Sequence, residues 1–79
     1  MLKVDTDPKA DAVYITLLDE PIGYSKELDE NRIIDCTINP GKAVGVDLLS
    51  VSKGVKVDGL PEAETIEKIL KGLGIKIIK

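Results

Sequence analysis

At 79 residues the chain has room for one domain, spanning 1–79, that buries only about 60–65% of its unfolded surface. Its 43% apolar content includes no Phe, no Trp and two Tyr, so any core is aliphatic, and a net charge of −3 with Arg32 as the sole arginine argues against nucleic acid, which is held by basic stripes. The lone Cys36 excludes an internal disulfide, the start of the chain lacks a signal-peptide pattern, and no apolar run nears the ~20 residues that span a membrane. The expectation is a cytoplasmic domain.

Leu2-Lys3-Val4-Asp5 reads as a first strand. Pro8 and Asp7 mark the turn after it, Pro by fixing φ and Asp by bonding the backbone beyond. Residues 12–18 alternate, with Val13, Ile15 and Leu17 to one side and Tyr14, Thr16 and Leu18 to the other. Asp19-Glu20-Pro21 breaks that strand. Residues 23–28 form a more polar strand suited to an edge, and Asp29-Glu30-Asn31 is a turn. Residues 32–38 and 43–49 form a hairpin around Asn39-Pro40-Gly41-Lys42, with Gly41 supplying the positive φ of a type II turn. Turning Ile34, Cys36 and Ile38 to the same core as Val44, Val46 and Leu48 opposes Ile38 with Val44, and Cys36 with Val46. That register also opposes Asp35 with Asp47 on the outer face. Like charges so placed cost up to about 1 kcal/mol, to be relieved by solvent, a lysine, a cation or a partner's basic group.

Beyond residue 50, Val55-Lys56-Val57 reads either as a short strand or as an extended crossing. Pro61 opens a helix running to about residue 73, with Ala63, Ile66, Ile69, Leu70 and Leu73 on one face. Glu64–Lys68 and Glu67–Lys71 are i,i+4 pairs, and Gly72 or Gly74 supplies the stop. Residues 75–79 are a last strand, or a tail that pairs with a neighbouring molecule. The fold class is α+β: a small curled antiparallel β-meander of about five strands with one C-terminal amphipathic helix packed on one face.

Several chemistries fail on their residue requirements. Without histidine, Ser25, Ser50 and Ser52 have no imidazole base; a pairing with Lys26 or Lys53 is the only serine activation left. Gly41-Lys42 lacks the earlier Gly and the following Ser or Thr of a phosphate loop. Asp5-x-Asp7 with Asp11 starts like a calcium loop, but Lys9, Ala10 and Thr16 occupy ligand and turn positions. Cys36 falls on the core face, as a small hydrophobe. Two outer-face features remain. One is the Asp35/Asp47 pair, a candidate for metal binding or acid–base work. The other is a set of apolar side chains, Tyr14, Leu18, Ile33 and Leu49, that would form an interface if contiguous.

The run Val4-Asp5…Pro8-Lys9-Ala10-Asp11-Ala12-Val13-Tyr14-Ile15, with Tyr24-Ser25-Lys26-Glu27-Leu28, Ile33-Ile34-Asp35 and Val44-Gly45-Val46-Asp47-Leu48-Leu49-Ser50-Val51-Ser52, resembles a small prokaryotic family catalogued as domain of unknown function 2283. The resemblance covers roughly residues 2–52. Asp47 stands where the family usually has Glu. The family has no established activity; some members are encoded beside small toxin-like proteins, which implies an antitoxin-like binding role. The positions implied are Asp11, Tyr14, Ser25, Glu27, Asp35 and Asp47. The leading expectation is a non-enzymatic protein-binding or self-associating module, a homodimer or the receptor of a small basic protein, that needs no cofactor. Its candidate surface site is Tyr14, Glu27, Asp35 and Asp47. The alternative is a carboxylate-centred metal or acid–base site on the same face.

Overall fold

A computed structural model describes residues 2–78. Five antiparallel strands, β1 (Lys3–Asp7), β2 (Ala12–Thr16), β3 (Tyr24–Asp29), β4 (Arg32–Cys36) and β5 (Ala43–Leu49), form one sheet. A 3-10 turn (Val51–Lys53), strand β6 (Val55–Lys56), helix α1 (Ala63–Gly72) and strand β7 (Ile77–Ile78) complete the chain. The expected α+β architecture is present, five strands and a C-terminal helix. The sheet order is β1-β2-β5-β4-β3. The meander therefore runs through β3, β4 and β5, and β5 then docks on the β1–β2 hairpin, leaving β1 and β3 as the edges. No helix among the described residues is long and apolar enough to cross a membrane.

Period-2 alternation decides which face is covered. Val13 and Ile15 of β2 and Val46 and Leu48 of β5 point to one side, where they pack with Val51, Val55, Leu60 and the helix residues Ile66 and Leu70. Ile15, Val46, Leu48, Ile66 and Leu70 have no solvent exposure. Each is worth about 1.5–3 kcal/mol relative to an exposed position. Ile34, Cys36 and Val44 are buried on the same face.

The β4–β5 hairpin differs from its expected register by two residues. Ile34 pairs with Val46, Asp35 with Gly45 and Ile33 with Asp47, and a bulge then sets Cys36 opposite Ala43. A shift of two preserves the faces, so the core assignment survives while the cross-strand neighbours change. Thr37 is the cause. Its N–H donates to the Lys42 carbonyl at 2.9 Å, and its Oγ1 accepts from Gly41 N and Lys42 N. That closes the loop at 37 and expels Ile38, expected in the core, to 77% exposure.

Helix α1 starts later than expected. Glu62 is its N-cap with φ 54°, a left-handed conformation that removes Pro61 from the first helical position into the turn ahead. Ile66 and Leu70 carry the buried stripe, with Ala63 and Ile69 partly buried against the core. Leu73, expected on that stripe, is the C-cap residue and 45% exposed. Gly74, at φ 78°, turns the chain so that its N–H donates to Lys71 O and that of Ile75 to Leu70 O. This is the Schellman geometry, and Ile75 packs against the core where Leu73 does not. The Glu67–Lys71 pair forms at 3.0 Å. Val55 pairs with Ile77 in parallel, so the end of the chain pairs internally; Lys79, the last residue of the expected strand, lies outside the described residues.

Candidate functional site: a hydroxyl–carboxylate cluster on the open sheet face

The sheet face opposite α1 is ruled by two rows of cross-strand neighbours. One row runs Lys3, Thr16, Gly45, Asp35, Ser25 from β1 to β3; the next runs Asp5, Tyr14, Asp47, Ile33, Glu27. Gly45 is the only residue of these rows without a side chain, and the ring of Tyr14 lies over it. A Cβ built on Gly45 would stand 2.1 Å from the Tyr14 hydroxyl and 2.5 Å from Cζ. Glycine in the middle of a strand often marks such a close approach. The ring thus crosses β5 diagonally, and its hydroxyl donates to Asp35 Oδ2 on β4 at 2.7 Å. From the other side, Ser25 on β3 donates to Asp35 Oδ1 at 2.6 Å. One carboxylate therefore joins three strands and is braced across a fourth.

Asp35 and Asp47 share the face but do not oppose each other, because Asp47 lies opposite Ile33 and Asp35 opposite Gly45. The offset weakens the repulsion expected of a direct pair, and two hydroxyl donors stabilise the charge of Asp35, while that charge still acts on Asp47. Charge-assisted bonds of 2.6–2.7 Å are in the strong class. Burial, the bond to Asp35, and the charges of Asp35 and Asp47 together push the Tyr14 phenol well above its ordinary pKa. Tyr14 is thus a fixed donor. Burial, then the charge of Asp35, pushes the Asp47 carboxyl up.

Of the candidate site residues, Tyr14, Asp35 and Asp47 come together, and Glu27 stands two strands from Asp47, on the far side of Ile33. Ser25, implied by the family resemblance, is part of the cluster. Asp11 is not. At φ 54° its carboxylate accepts from Ser52 N at 3.0 Å and Ser52 Oγ at 2.7 Å, clipping the β1–β2 turn to the chain after β5. Gly45 escaped the sequence reading, although a glycine inside the Val-Gly-Val-Asp strand run was its visible signal. Of the expected interface residues, Tyr14, Ile33 and Leu49 share this face and Leu18 lies just past the end of β2; all four are half-buried. The most exposed large apolar side chains are instead Leu2, Val4, Ile22, Tyr24, Ile38 and Leu73.

The cluster lies on an open face. A hollow of about 260 Å³ lies between the β3–β4 turn and β6 and β7, one of about 440 Å³ is lined by β6, β7 and α1, and a third of about 340 Å³ by Ile22, Thr37 and Ile38; Tyr14, Asp35 and Asp47 line none of them. Among the described residues, no three Asp, Glu, Cys or His side chains gather as metal ligands.

The fold and site define a small α+β protein whose sheet is covered by a helix on one face and carries a braced acidic cluster on the other. The chain belongs to the family described as Protein of unknown function (DUF2283), whose model matches residues 3–52. No curated protein and no solved structure matches the chain.

Proposed function

We propose that the domain is a non-enzymatic binding module whose open sheet face receives a basic segment of a partner protein. The observation that carries this reading is the state of Asp35. Both of its oxygens are occupied by hydroxyl donors, which makes it a brace for Tyr14 rather than a base for a substrate. Asp47 is left beside the ring, half-buried and with a raised pKa, so the positive charge of a lysine or arginine placed there would offset the cost of its burial and its repulsion from Asp35. Asp5 and Glu27 extend the same row, and Ile33 and Leu49 supply apolar contact. Two copies stacked on this face would set carboxylates against carboxylates, so charge favours a basic partner there. Antitoxin-like capture of a small basic protein is the specific form of this proposal.

An amide-resolved NMR titration with lysine- and arginine-rich peptides tests it. Shifts should centre on Tyr14, Asp47 and Ile33, weaken with salt and shrink in Asp47→Asn. Shifts mapping elsewhere, or unaltered in that variant, would rule the face out. The second reading, a carboxylate-centred metal or acid–base site, is favoured only by the raised Asp47 carboxyl. It requires a divalent cation to raise the melting temperature in the parent and not in Asp47→Asn.

A further inference from the structure

Strand β1 has an unusual position for an element of so small a domain. All five of its side chains are exposed, and neither Val4 nor Thr6 belongs to the core that its neighbour β2 helps build. Its fixed partner is the ladder to β2, which runs through five regular pairs. A strand held by one ladder and contributing no side chain to the core is marginal, and a regular open edge is a template for a further strand. The opposite edge, β3, is blunted by an irregularity between Glu27 and Asp29; β1 has none.

We infer that β1 pairs with β1 of a second copy of this chain, antiparallel about a twofold axis through Val4, to give a continuous ten-stranded sheet. The register is set by the side chains. Antiparallel partners share a face, so Val4 must meet a residue of its own, helix-side face. Centring on Val4 opposes Val4 with the partner's Val4, Leu2 with the partner's Thr6, and Lys3 with the partner's Asp5, the last pairing occurring twice by symmetry. Centring on Asp5 would instead oppose two aspartates on the axis. The chosen register therefore makes two opposite-charge pairs on the outer face. It also covers Leu2 and Val4, which are 44% and 36% exposed in one copy, on the helix side. The axis is perpendicular to the sheet, so both helices lie on one side and both acidic clusters on the other. The proposal stands apart from the outer-face reading, because edge pairing leaves Asp35 and Asp47 uncovered.

A charge-swap experiment tests both the partner and the register. Light scattering after size exclusion, run at up to roughly 1 mM chain, should show the parent as a dimer. Lys3→Glu and Asp5→Lys each turn two attractive pairs into two repulsive ones, and each should weaken dimerisation about tenfold or more. Mixed in equal amounts, the two variants restore opposite charges at both positions and should recover the dimer. Far-UV circular dichroism confirms that each is folded; should either fail, Val4→Lys, a change at an exposed position, must by itself give a monomer. A parent that stays monomeric, a dimer that survives the single swaps or Val4→Lys, or a mixture of folded variants that stays monomeric would overturn the inference.

Discussion

Gly45→Ala is the sharpest probe of the outer face. In a strand, replacing glycine with alanine ordinarily gains about 0.5–1 kcal/mol, because the unfolded chain loses freedom. Here the added carbon would stand 2.1 Å from the Tyr14 hydroxyl and 2.5 Å from its ring, well inside van der Waals contact. Strand β5 is paired on both sides and cannot retreat, so the ring must leave. Asp35 then loses a hydroxyl donor, worth about 1.5–3 kcal/mol for a bond to a charged group and near the lower bound at this half-exposed site. Ring contacts are lost as well. The net expectation is a destabilisation of about 1–3 kcal/mol. In a domain of this size that lowers the melting temperature by roughly 5–20 °C. Urea unfolding of Gly45→Ala, Tyr14→Ala and the double variant measures the coupling. With Tyr14 already truncated, Gly45→Ala should be neutral or stabilising. A single Gly45→Ala variant as stable as the parent, or an equal cost in both backgrounds, would refute the placement of the ring.

Asp47→Asn should stabilise the protein at neutral pH. The raised folded pKa of Asp47 means that the folded state binds its proton more tightly. Its favourable contribution is thus complete below the ordinary 3.8 and lost as pH rises through the raised value; urea unfolding should show the advantage of the variant growing over that window, and a gap constant with pH would contradict the cause. In an alkaline titration followed by phenolate absorbance, Tyr14 should ionise above the ordinary 10.0, and Asp35→Asn should bring it down; an unchanged titration in Asp35→Asn would remove Asp35 from the account. Arg32 bridges its Asp29 ion pair at 2.8 Å to the carbonyls of Lys56 at 3.1 Å and Asp58 at 2.5 Å. Arg32→Ala should cost about 1–3 kcal/mol in chemical unfolding, and Arg32→Lys should restore little, because an ammonium lacks the guanidinium fork; full rescue by lysine would show that charge alone matters.

The strands and their core faces were legible because alternation is a local signal. Val13, Ile15 and Leu17, and Val44, Val46 and Leu48, are buried as their spacing demands. Register was not legible, since a two-residue slip leaves every face unchanged. The deciding bonds belong to Thr37, whose hydroxyl carries no periodic signature. The helix start was missed because Pro at a first helical position and Pro just before a left-handed cap look alike in sequence. Of the site, Tyr14, Asp35 and Asp47 could be placed on one face by parity alone. The link between them could not, because the bond from Tyr14 to Asp35 runs diagonally over Gly45 and spans three strands, and parity says nothing about diagonals.

The two faces of the sheet draw on different parts of the chain. The family match spans residues 3–52 and contains every member of the outer cluster: Tyr14, Ser25, Asp35, Gly45 and Asp47. The cover of the opposite face, Val55, Leu60, Ile66 and Leu70, comes from beyond that span, and the Asp11–Ser52 clip sits where the two parts meet. A helix can cover an aliphatic sheet with many sequences, because volume and patterning suffice for a core. The outer cluster has no such latitude: a hydroxyl at 14 reaches a carboxylate at 35 only if position 45 has no side chain. If the protein meets its partner on the open face rather than the covered one, selection holds the sheet residues fixed and lets the helix vary, and the family signature concentrates in the sheet.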